Sequence, residues 1–272
     1  MMSVFSPHTL TEHQRPVSAL SKKLWIYTNY DCHLRCSYCV AESTPTAARR
    51  GMEIDTVCRL VDQAVEIGFE EIFFTGGEPF ILPNIFEMLS YPTGRTQTTV
   101  LTTGMLLKHE RMQSLQKIKS ENLTIQVSLD GGRAQPHDLY RSRGTWEETV
   151  NAIKRLTENG FHVRLSTTET PANTDYLAEI CELHLALGIP EEDHFIRPMA
   201  KRGFSQEGVD VSMESITPEM TVNQEGVFWH PLSTDEAMWV SKYIFPLQNA
   251  VECIQEQLQV IAGGGEPRIT FT

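Results

Sequence analysis

Along most of the chain, short runs of β-branched and aromatic residues alternate with longer segments whose apolar residues recur at helical spacing. Such an alternation is typical of βαβ units, in which helices cover a parallel sheet. The pattern predicts six strands, at about residues 24–29, 71–75, 98–102, 123–129, 162–168 and 194–198. Because crossovers between parallel strands are right-handed, we expect an α/β fold in which six units curl into a partial (β/α)6 barrel, open and TIM-like.

The predicted helices are marked by apolar stripes and by residues that favour helix ends. The segment after the first strand carries one such stripe: Val57, Leu60, Val61, Ala64 and Val65. This helix is expected to stop at Gly68, because glycine readily adopts the left-handed conformation that ends helices. Thr145 and Glu148 have the spacing of a capping box, which predicts a helix start. A further helix is predicted from about 174 to 187.

After the sixth strand the alternation ends. A hairpin is predicted at residues 220–227, with its turn at Glu225 and Gly226. A last helix carries the apolar stripe Leu247, Val251, Ile254, Leu258 and Ile261. We therefore divide the chain into an N-terminal lead-in (1–21), a partial barrel (22–205) and a small hairpin-plus-helix extension (206–272). The glycine-rich end of the extension, from residue 262, is expected to be a mobile tail.

Composition narrows the classes of partner. With 272 residues, 40% of them hydrophobic, the chain can form one large domain with an appendage. Its net charge of -12, without a basic stripe, argues against a nucleic-acid partner, whose phosphates need lysine and arginine. No apolar run of about 18 residues is present, so we expect no membrane span. The N-terminus up to Pro16 lacks the apolar core of a signal peptide.

The six cysteines indicate a reducing compartment. Three of them lie within eight residues, and Cys58, Cys181 and Cys253 are scattered, which does not fit a disulfide framework. We therefore expect a cytoplasmic protein. Cys58 and Cys181 are expected to be small core or boundary residues, because each lies beside apolar positions of a predicted helix.

Cys32, Cys36 and Cys39 follow the first strand with the spacing C-x3-C-x2-C. Thiolates are preferred ligands of iron-sulfur clusters, and a loop with this spacing can bring three of them to one cluster. A four-iron cluster held by three cysteines leaves one iron free to bind a substrate or cofactor. The alternative is a zinc site, but zinc prefers four tetrahedral ligands and His33 is poorly placed to be the fourth.

Three further polar or glycine-rich clusters lie where predicted strands end. They are Gly76, Gly77, Glu78 and Pro79 after the second strand, Thr103 and Gly104 after the third, and Ser128, Asp130 and Gly131 after the fourth. Because sites in parallel α/β folds collect at the carboxyl ends of strands, we expect these clusters to meet the cysteine loop at one rim. Taken alone, the glycine cluster would equally fit a turn that ends a strand.

The C-x3-C-x2-C spacing, with Tyr38 before the last cysteine, resembles the radical S-adenosylmethionine (radical SAM) superfamily. The resemblance implies a 4Fe-4S cluster held by Cys32, Cys36 and Cys39, with SAM at the open iron. It also implies an electron donor of the flavodoxin or ferredoxin type and reductive cleavage of SAM. The resulting 5'-deoxyadenosyl radical would abstract hydrogen from a substrate.

The same resemblance implies a set of SAM contacts. Gly76, Gly77, Glu78 and Pro79 resemble the family's GGEP motif, which holds the SAM amino group. Ser128 and Asp130 resemble a fourth-strand segment near the SAM ribose and methionine, and Arg141 matches an arginine near the SAM carboxylate. Tyr38 would abut the adenine. Thr103 stands where many relatives carry asparagine, so this sequence departs from the family pattern there.

From the residues alone, other roles are open for three of these positions. Asp130 would also suit a turn, Arg141 a solvated surface, and Tyr38 core packing beside the cysteine loop. The alternative to an enzyme is a non-catalytic module that binds zinc, keeps a degenerate cluster site or docks a partner.

Residues 198–203 resemble the exit of the sixth strand in the SPASM or twitch branch of the superfamily, whose extensions hold auxiliary clusters. Trp229, His230 and Pro231 stand where that branch usually carries Pro-Cys, and no paired cysteines follow. We therefore expect no auxiliary cluster. The branch resemblance implies a peptide or carbohydrate-like substrate, with epimerisation, cyclisation and decarboxylation all open.

Two features of the extension have open roles. Cys253 could donate a hydrogen atom to a substrate radical, as a thiol does in some radical SAM epimerases. Phe228, Trp229 and His230 could line a substrate pocket, although packing of the hairpin on the barrel is the favoured interpretation.

Overall fold

The computed structural model describes residues 19–213 and 215–266. In this part of the chain, nine strands form one sheet in the order β6-β5-β4-β3-β2-β1-β7-β8-β9. The strands are β1 Lys23–Asn29, β2 Glu71–Gly76, β3 Gln97–Thr102, β4 Leu123–Ser128, β5 His162–Glu169, β6 His194–Pro198, β7 Thr221–Asn223, β8 Gly226–Phe228 and β9 Trp239–Ser241. The six predicted strands are thus confirmed, most of them within one residue at each end.

Seven α-helices accompany these strands in the described part of the chain. They are α1 Ile54–Ile67, α2 Ile85–Thr93, α3 His109–Lys117, α4 Ala134–Arg141, α5 Thr145–Glu158, α6 Leu177–Ala186 and α7 Leu247–Ala262. The sequence pattern did not predict α2, α3 or α4, which are short. None of the helices in the described residues is long and apolar enough to cross a membrane.

The sheet is parallel from β1 to β6, as predicted, and it stays open. β1 pairs with β2 on one side and with β7 on the other, so β6 is left at an edge. All residues of β1 after Lys23 are buried, as expected for a central parallel strand covered on both faces. The predicted α/β fold with an open, partial barrel is confirmed.

The predicted extension continues the same sheet. β7 pairs in parallel with β1, and β8 and β9 then follow in antiparallel order. The turn lies at Gln224 and Glu225 and not at Glu225 and Gly226, because Asn223 pairs with Gly226 across the hairpin. The Asn223 side chain accepts hydrogen bonds from the N–H groups of Glu225 (2.7 Å) and Gly226 (3.1 Å), which fixes the turn one residue earlier.

The predicted capping box at Thr145 is wrong, although the helix begins there. Gly144 is the residue before the helix, and the Thr145 hydroxyl donates to the carbonyl of Ser142 (2.7 Å). The Asp138 carboxylate takes over the capping, accepting from the N–H groups of Gly144 (2.6 Å) and Trp146 (2.9 Å). A side chain from α4 thus caps α5, and only the folded chain brings it there. By contrast, α1 ends as predicted at Gly68, with φ at 103°.

Phe228 and Trp229 belong to the hydrophobic core, which supports the packed hairpin over a pocket lining. His230 follows them, and its Nδ1 accepts a hydrogen bond from the Leu232 N–H (3.2 Å). Burial, and beyond it the positive charges of Arg197 and Lys23, lowers the pKa of His230 to about 3. The folded protein therefore contains this imidazole in its neutral form.

We expect His230 to make the fold sensitive to acid. The stabilisation that the neutral His230 gives to the fold is present above about pH 6.5, which is the pKa of this histidine in the unfolded chain. It is lost as the pH falls towards 3, because the unfolded chain takes up the proton first. Between about pH 7.5 and 5.5, this residue should lower the free energy of unfolding by about 1.4 kcal/mol. Urea unfolding of His230→Asn should lack this share of the pH dependence. The control variant His109→Asn, at an exposed position, should keep this pH dependence. An equal pH dependence of the free energy of unfolding in both variants would contradict the assignment to His230.

The boundary at residue 205 between barrel and extension stays a prediction. The lead-in up to residue 18 and the tail from residue 267 lie outside the described residues.

Candidate functional site

The cysteine loop, residues 32–39, leaves the carboxyl end of β1. The Cys32 N–H donates to the carbonyl of Thr44 (3.1 Å), and the Cys39 N–H donates to the carbonyl of Cys36 (3.1 Å). Two thiols accept backbone hydrogen bonds: Cys32 Sγ from the Leu34 N–H (3.3 Å) and Cys39 Sγ from the Ser43 N–H (3.4 Å). The loop therefore holds its sulfur atoms in a defined backbone frame.

Burial controls the charge of the thiols. It raises the pKa of Cys32 to about 12, although the Leu34 N–H favours the thiolate. Burial also raises the pKa of Cys36, while the guanidinium of Arg141 acts in the opposite direction. A metal that binds these sulfurs must displace their protons, since the thiolate is the ligand.

The segment Gly76, Gly77 and Glu78, here called the GGE segment, packs directly on the exit of β1. The Gly77 N–H donates to the carbonyl of Asn29 (2.8 Å), and the Glu78 N–H donates to the carbonyl of Asp31 (3.0 Å). A Cβ atom on Gly76 would lie 2.2 Å from the Asn29 oxygen, and one on Gly77 would lie 2.1 Å from the Asp31 oxygen. The two glycines are therefore required for close packing of two strand exits, which the sequence did not indicate.

Gly77→Ala is expected to lower the free energy of unfolding by about 2–3 kcal/mol. The new methyl group would meet a backbone carbonyl, which cannot rotate away as a side chain can. The matched control is Gly94→Ala, where a Cβ atom meets nothing within 4 Å; we expect a change of about 0.5 kcal/mol or less. Urea unfolding of both variants measures the difference, and equal stabilities would contradict the steric argument.

Glu78 joins the exits of β2 and β3. Its side chain is fully buried. Oε1 accepts hydrogen bonds from the Thr102 hydroxyl (2.7 Å) and the Phe80 N–H (3.1 Å), and Oε2 accepts from the N–H (2.9 Å) and the hydroxyl (3.0 Å) of Thr103. Four donors thus surround one carboxylate, and Pro79 begins the short 3-10 turn that follows it. The oxygens of this carboxylate therefore already accept hydrogen bonds from donors of the protein.

Tyr38, Asp130 and Arg141 meet on the other side of the cysteine loop. The Tyr38 hydroxyl donates a short hydrogen bond to Asp130 Oδ2. Arg141 Nη1 lies 2.8 Å from the Tyr38 oxygen and 3.3 Å from Asp130 Oδ2, and both charged side chains are buried, 8% and 1% exposed. The solvated-surface interpretation of Arg141 is therefore wrong. Burial raises the pKa of Tyr38, so its phenol stays a donor.

The segment after β6 covers the cysteine loop from a third side. The Phe204 N–H donates to the carbonyl of Cys39 (3.1 Å), and a Cβ atom on Gly203 would lie 2.3 Å from the same oxygen. The exits of β1, β2, β3 and β4 therefore gather around the cysteine loop, as predicted for one rim, and the segment after β6 joins them.

Two other predicted site residues occupy different surroundings. Ser128 ends β4 at this rim and pairs in register with Ser166 of β5. Cys253 lies on α7, which packs against α1 and β9, and its partly buried side chain contacts the hydrophobic core. The structure therefore places Cys253 in the helical layer and not among the rim side chains described above. Its role as a hydrogen-atom donor stays a prediction.

Two histidines at the rim were not predicted as site residues. His33 Nε2 lies 3.4 Å from the Thr103 hydroxyl, and His137 Nδ1 accepts from the Asp130 N–H (3.1 Å). The remaining ring nitrogens, His33 Nδ1 and His137 Nε2, are buried and have no hydrogen-bond partner among the described residues. Burial lowers the pKa of His33, and it lowers that of His137 to about 4. In the sequence, His33 directly follows Cys32 and His137 comes after Gly131. These positions were the local signal that the two histidines belong to the site.

The fold and the rim together define an α/β-barrel protein with a thiol-lined candidate site. The family model of the radical SAM superfamily matches residues 26–184, more than half of the chain. The chain therefore belongs to the radical SAM superfamily, a family of enzymes that use a 4Fe-4S cluster and SAM.

Two curated proteins have sequences similar to this chain. An AdoMet-dependent heme synthase of Methanosarcina barkeri is 31% identical over 58% of this chain and 45% of its own length. The antilisterial bacteriocin subtilosin biosynthesis protein AlbA of Bacillus subtilis is 27% identical over 75% of this chain and 43% of its own length. The chain thus spans about half the length of the curated relatives it matches.

A solved structure shares the fold. Streptococcus suis SuiB bound to its precursor peptide SuiA superimposes with a TM-score of 0.60, covering 92% of this chain and 48% of SuiB. At 17% sequence identity, this likeness concerns the fold.

The rim residues fit the two cofactors of the family. Among the described residues, the loop thiols are not part of any group of three ligands whose atoms all lie within 4.8 Å. A tetrahedral zinc ion with Zn–S bonds of about 2.3 Å needs sulfurs about 3.8 Å apart, so the loop thiols do not already have the spacing of a zinc site. The unpartnered nitrogens of His33 and His137 provide the buried polar groups that a bound polar ligand would satisfy.

Proposed function

We propose that the chain is the radical SAM portion of an enzyme that modifies a peptide, with Cys32, Cys36 and Cys39 as ligands of its 4Fe-4S cluster. The observation that carries this proposal is the meeting of the cysteine loop, the GGE segment and the Asp130–Arg141 pair at one rim. When bound and reduced, the cluster supplies the electron that cleaves SAM and yields a 5'-deoxyadenosyl radical.

The proposed SAM-contacting residues are Tyr38, Gly76, Gly77, Glu78, Pro79, Thr103, Ser128, Asp130 and Arg141. Several of them act by positioning, because their polar atoms already bond to the protein. Glu78 holds the GGE segment against Thr102 and Thr103, and Arg141 holds Tyr38 beside Asp130. We add the free ring nitrogens of His33 and His137 to the groups that would bond to SAM.

A peptide substrate is supported by a cavity beside the cysteine loop. The cavity, of about 390 Å³, is lined by the segment after β6, including Lys201, Arg202 and Asp210. That segment also contacts Cys39 through Phe204. Charged and polar linings suit a peptide backbone with polar side chains. AlbA is named for the biosynthesis of a bacteriocin, and SuiB was solved bound to a precursor peptide. Epimerisation, cyclisation and decarboxylation are the candidate outcomes.

The test is anaerobic reconstitution followed by a SAM cleavage assay. We expect about four irons and four sulfides per chain, and 5'-deoxyadenosine that forms only with reductant. Binding of zinc alone, without SAM cleavage, would support the non-catalytic module instead. To test the substrate, short peptides encoded beside the gene are co-expressed with the protein, and a mass change in one of them is measured against the Cys36→Ala variant.

We further propose that the protein works in the cytoplasm with a flavodoxin- or ferredoxin-type electron donor. All six cysteines are free in the structure, as a reducing compartment requires. Reduced flavodoxin should replace dithionite in the assay. Turnover with dithionite but with neither protein donor would contradict this part of the proposal.

A further inference from the structure

A second group of metal-ligating side chains lies between α6 and β6. Cys181 and His184 stand three residues apart on α6, and His194 is the first residue of β6. One ligand atom from each of these residues lies within 4.8 Å of the other two. The group shares no residue with the cysteine loop or with the rim around it.

The hydrogen bonds of His194 leave one ring nitrogen available. Thr167 donates its hydroxyl proton to the carbonyl of Leu129 (2.6 Å), which can only accept. The Thr167 oxygen must then accept from His194 Nε2, which lies 2.8 Å away. This bond assigns the proton to Nε2 and leaves the lone pair on Nδ1.

The hydrogen bonds of His184 have the same consequence. Its Nδ1 lies 2.9 Å from the carbonyl oxygen of Ile189, so Nδ1 carries the proton and donates it. The neutral ring then presents the lone pair of Nε2. Histidines that bind metals almost always donate their other ring N–H to a carbonyl, carboxylate or water, which orients the ring. His184 already has such a partner in the Ile189 carbonyl, and the Thr167 hydroxyl orients His194 in the same way.

We propose that Cys181, His184 and His194 form a site for a divalent transition metal, with Zn²⁺ as the occupant. One thiolate and two imidazoles are ligands that zinc prefers, and tetrahedral zinc needs ligand atoms about 3.3–3.6 Å apart. The present upper limit of 4.8 Å exceeds this spacing by about 1.2–1.5 Å. The fourth position is left for water.

The position of the site indicates what the metal does. Among the described strands, β6 lies at the edge of the sheet and pairs with β5 alone, and the segment after it covers the cysteine loop. A metal bound to α6 and to the first residue of β6 would fasten this edge to the helix that precedes it. Bound metal should therefore stabilise the part of the barrel that adjoins the cavity.

The experiment uses the full chain with its iron-sulfur cluster assembled. After dialysis against a weak chelator, we expect about one zinc per chain, with one sulfur and two nitrogens as protein ligands in zinc-edge X-ray absorption. Cys181→Ser and His184→Gln should each weaken zinc binding by about 100-fold or more. Zinc at about 100 times its Kd should raise the Tm of the parent by about 5 °C and leave that of Cys181→Ser unchanged.

The matched control is Cys58→Ser, which removes another partly buried thiol on a helix and should bind zinc as the parent does. Equal melting of parent and Cys181→Ser with chelator present shows that the variant is folded. Because iron and sulfide contents are measured in the same samples, failure of cluster assembly is seen separately from failure of this site. Absence of zinc from the parent, or equal zinc in Cys181→Ser, would overturn the proposal.

Discussion

Cys36→Ala is expected to reduce reductive SAM cleavage by about 1,000-fold or more, to the background of the assay. A cluster held by three cysteines loses a third of its protein ligands with this change. Cys36 is the informative choice because it is partly exposed, whereas Cys32 is buried. Truncation of Cys32 would combine loss of a ligand with loss of core packing. Iron content, the cluster's absorbance and 5'-deoxyadenosine are measured on the same reconstituted sample.

The control for Cys36→Ala is Cys58→Ala. Cys58 lies on α1, outside the cysteine loop, and its thiol is also partly exposed. Iron content and SAM cleavage should stay within about twofold of the parent. A Cys36→Ala variant that still forms 5'-deoxyadenosine would remove that thiol from the proposed ligand set.

The strands and the rim could be predicted because their signals are local. A β-branched run followed by glycine or a polar residue marks a strand and its exit, and parallel order then brings all exits to one edge. Glu78 shows where this reasoning stops. Its partners Thr102 and Thr103 lie 24 and 25 residues away in the chain. No local pattern indicates that a glutamate after two glycines will be surrounded by donors of the next strand exit.

The same limit explains the error at α5 and the histidines that sequence reasoning did not assign. Thr145 and Glu148 fit the local capping rule, yet the carboxylate of Asp138 on the preceding helix accepts the hydrogen bonds of the free N–H groups instead. In the proposed metal site, Cys181 has a role beyond the boundary position that its helix indicates, and His194, thirteen residues later, is what suggests that role. The available signal was the Cys-x2-His spacing on one helix, which puts both side chains on the same face.

Arg141→Met is expected to lower the free energy of unfolding by about 3 kcal/mol or more. The substitution keeps much of the side-chain volume but leaves the Asp130 carboxylate buried without its positive partner. Asp130 retains the Tyr38 hydroxyl and the Thr168 N–H as donors, the latter at 2.8 Å, which limits the loss. Arg133→Met is the control: its ion pair with Glu179 is about 40% exposed, and we expect about 1 kcal/mol or less.

The double variant Arg141→Met with Asp130→Asn separates the contribution of the Asp130–Arg141 ion pair to stability from that of packing by the Arg141 side chain. If the cost of the single change is that of an unpaired buried charge, removing the charge on Asp130 as well should recover about 1–3 kcal/mol relative to the sum of the single variants. Urea unfolding of the four proteins, at one pH and with the same metal content, gives the coupling. Additive costs would mean that Arg141 stabilises the rim by packing beside Tyr38 and that the ion pair contributes little. A large coupling would show that the Asp130–Arg141 ion pair holds α4 against the exit of β4.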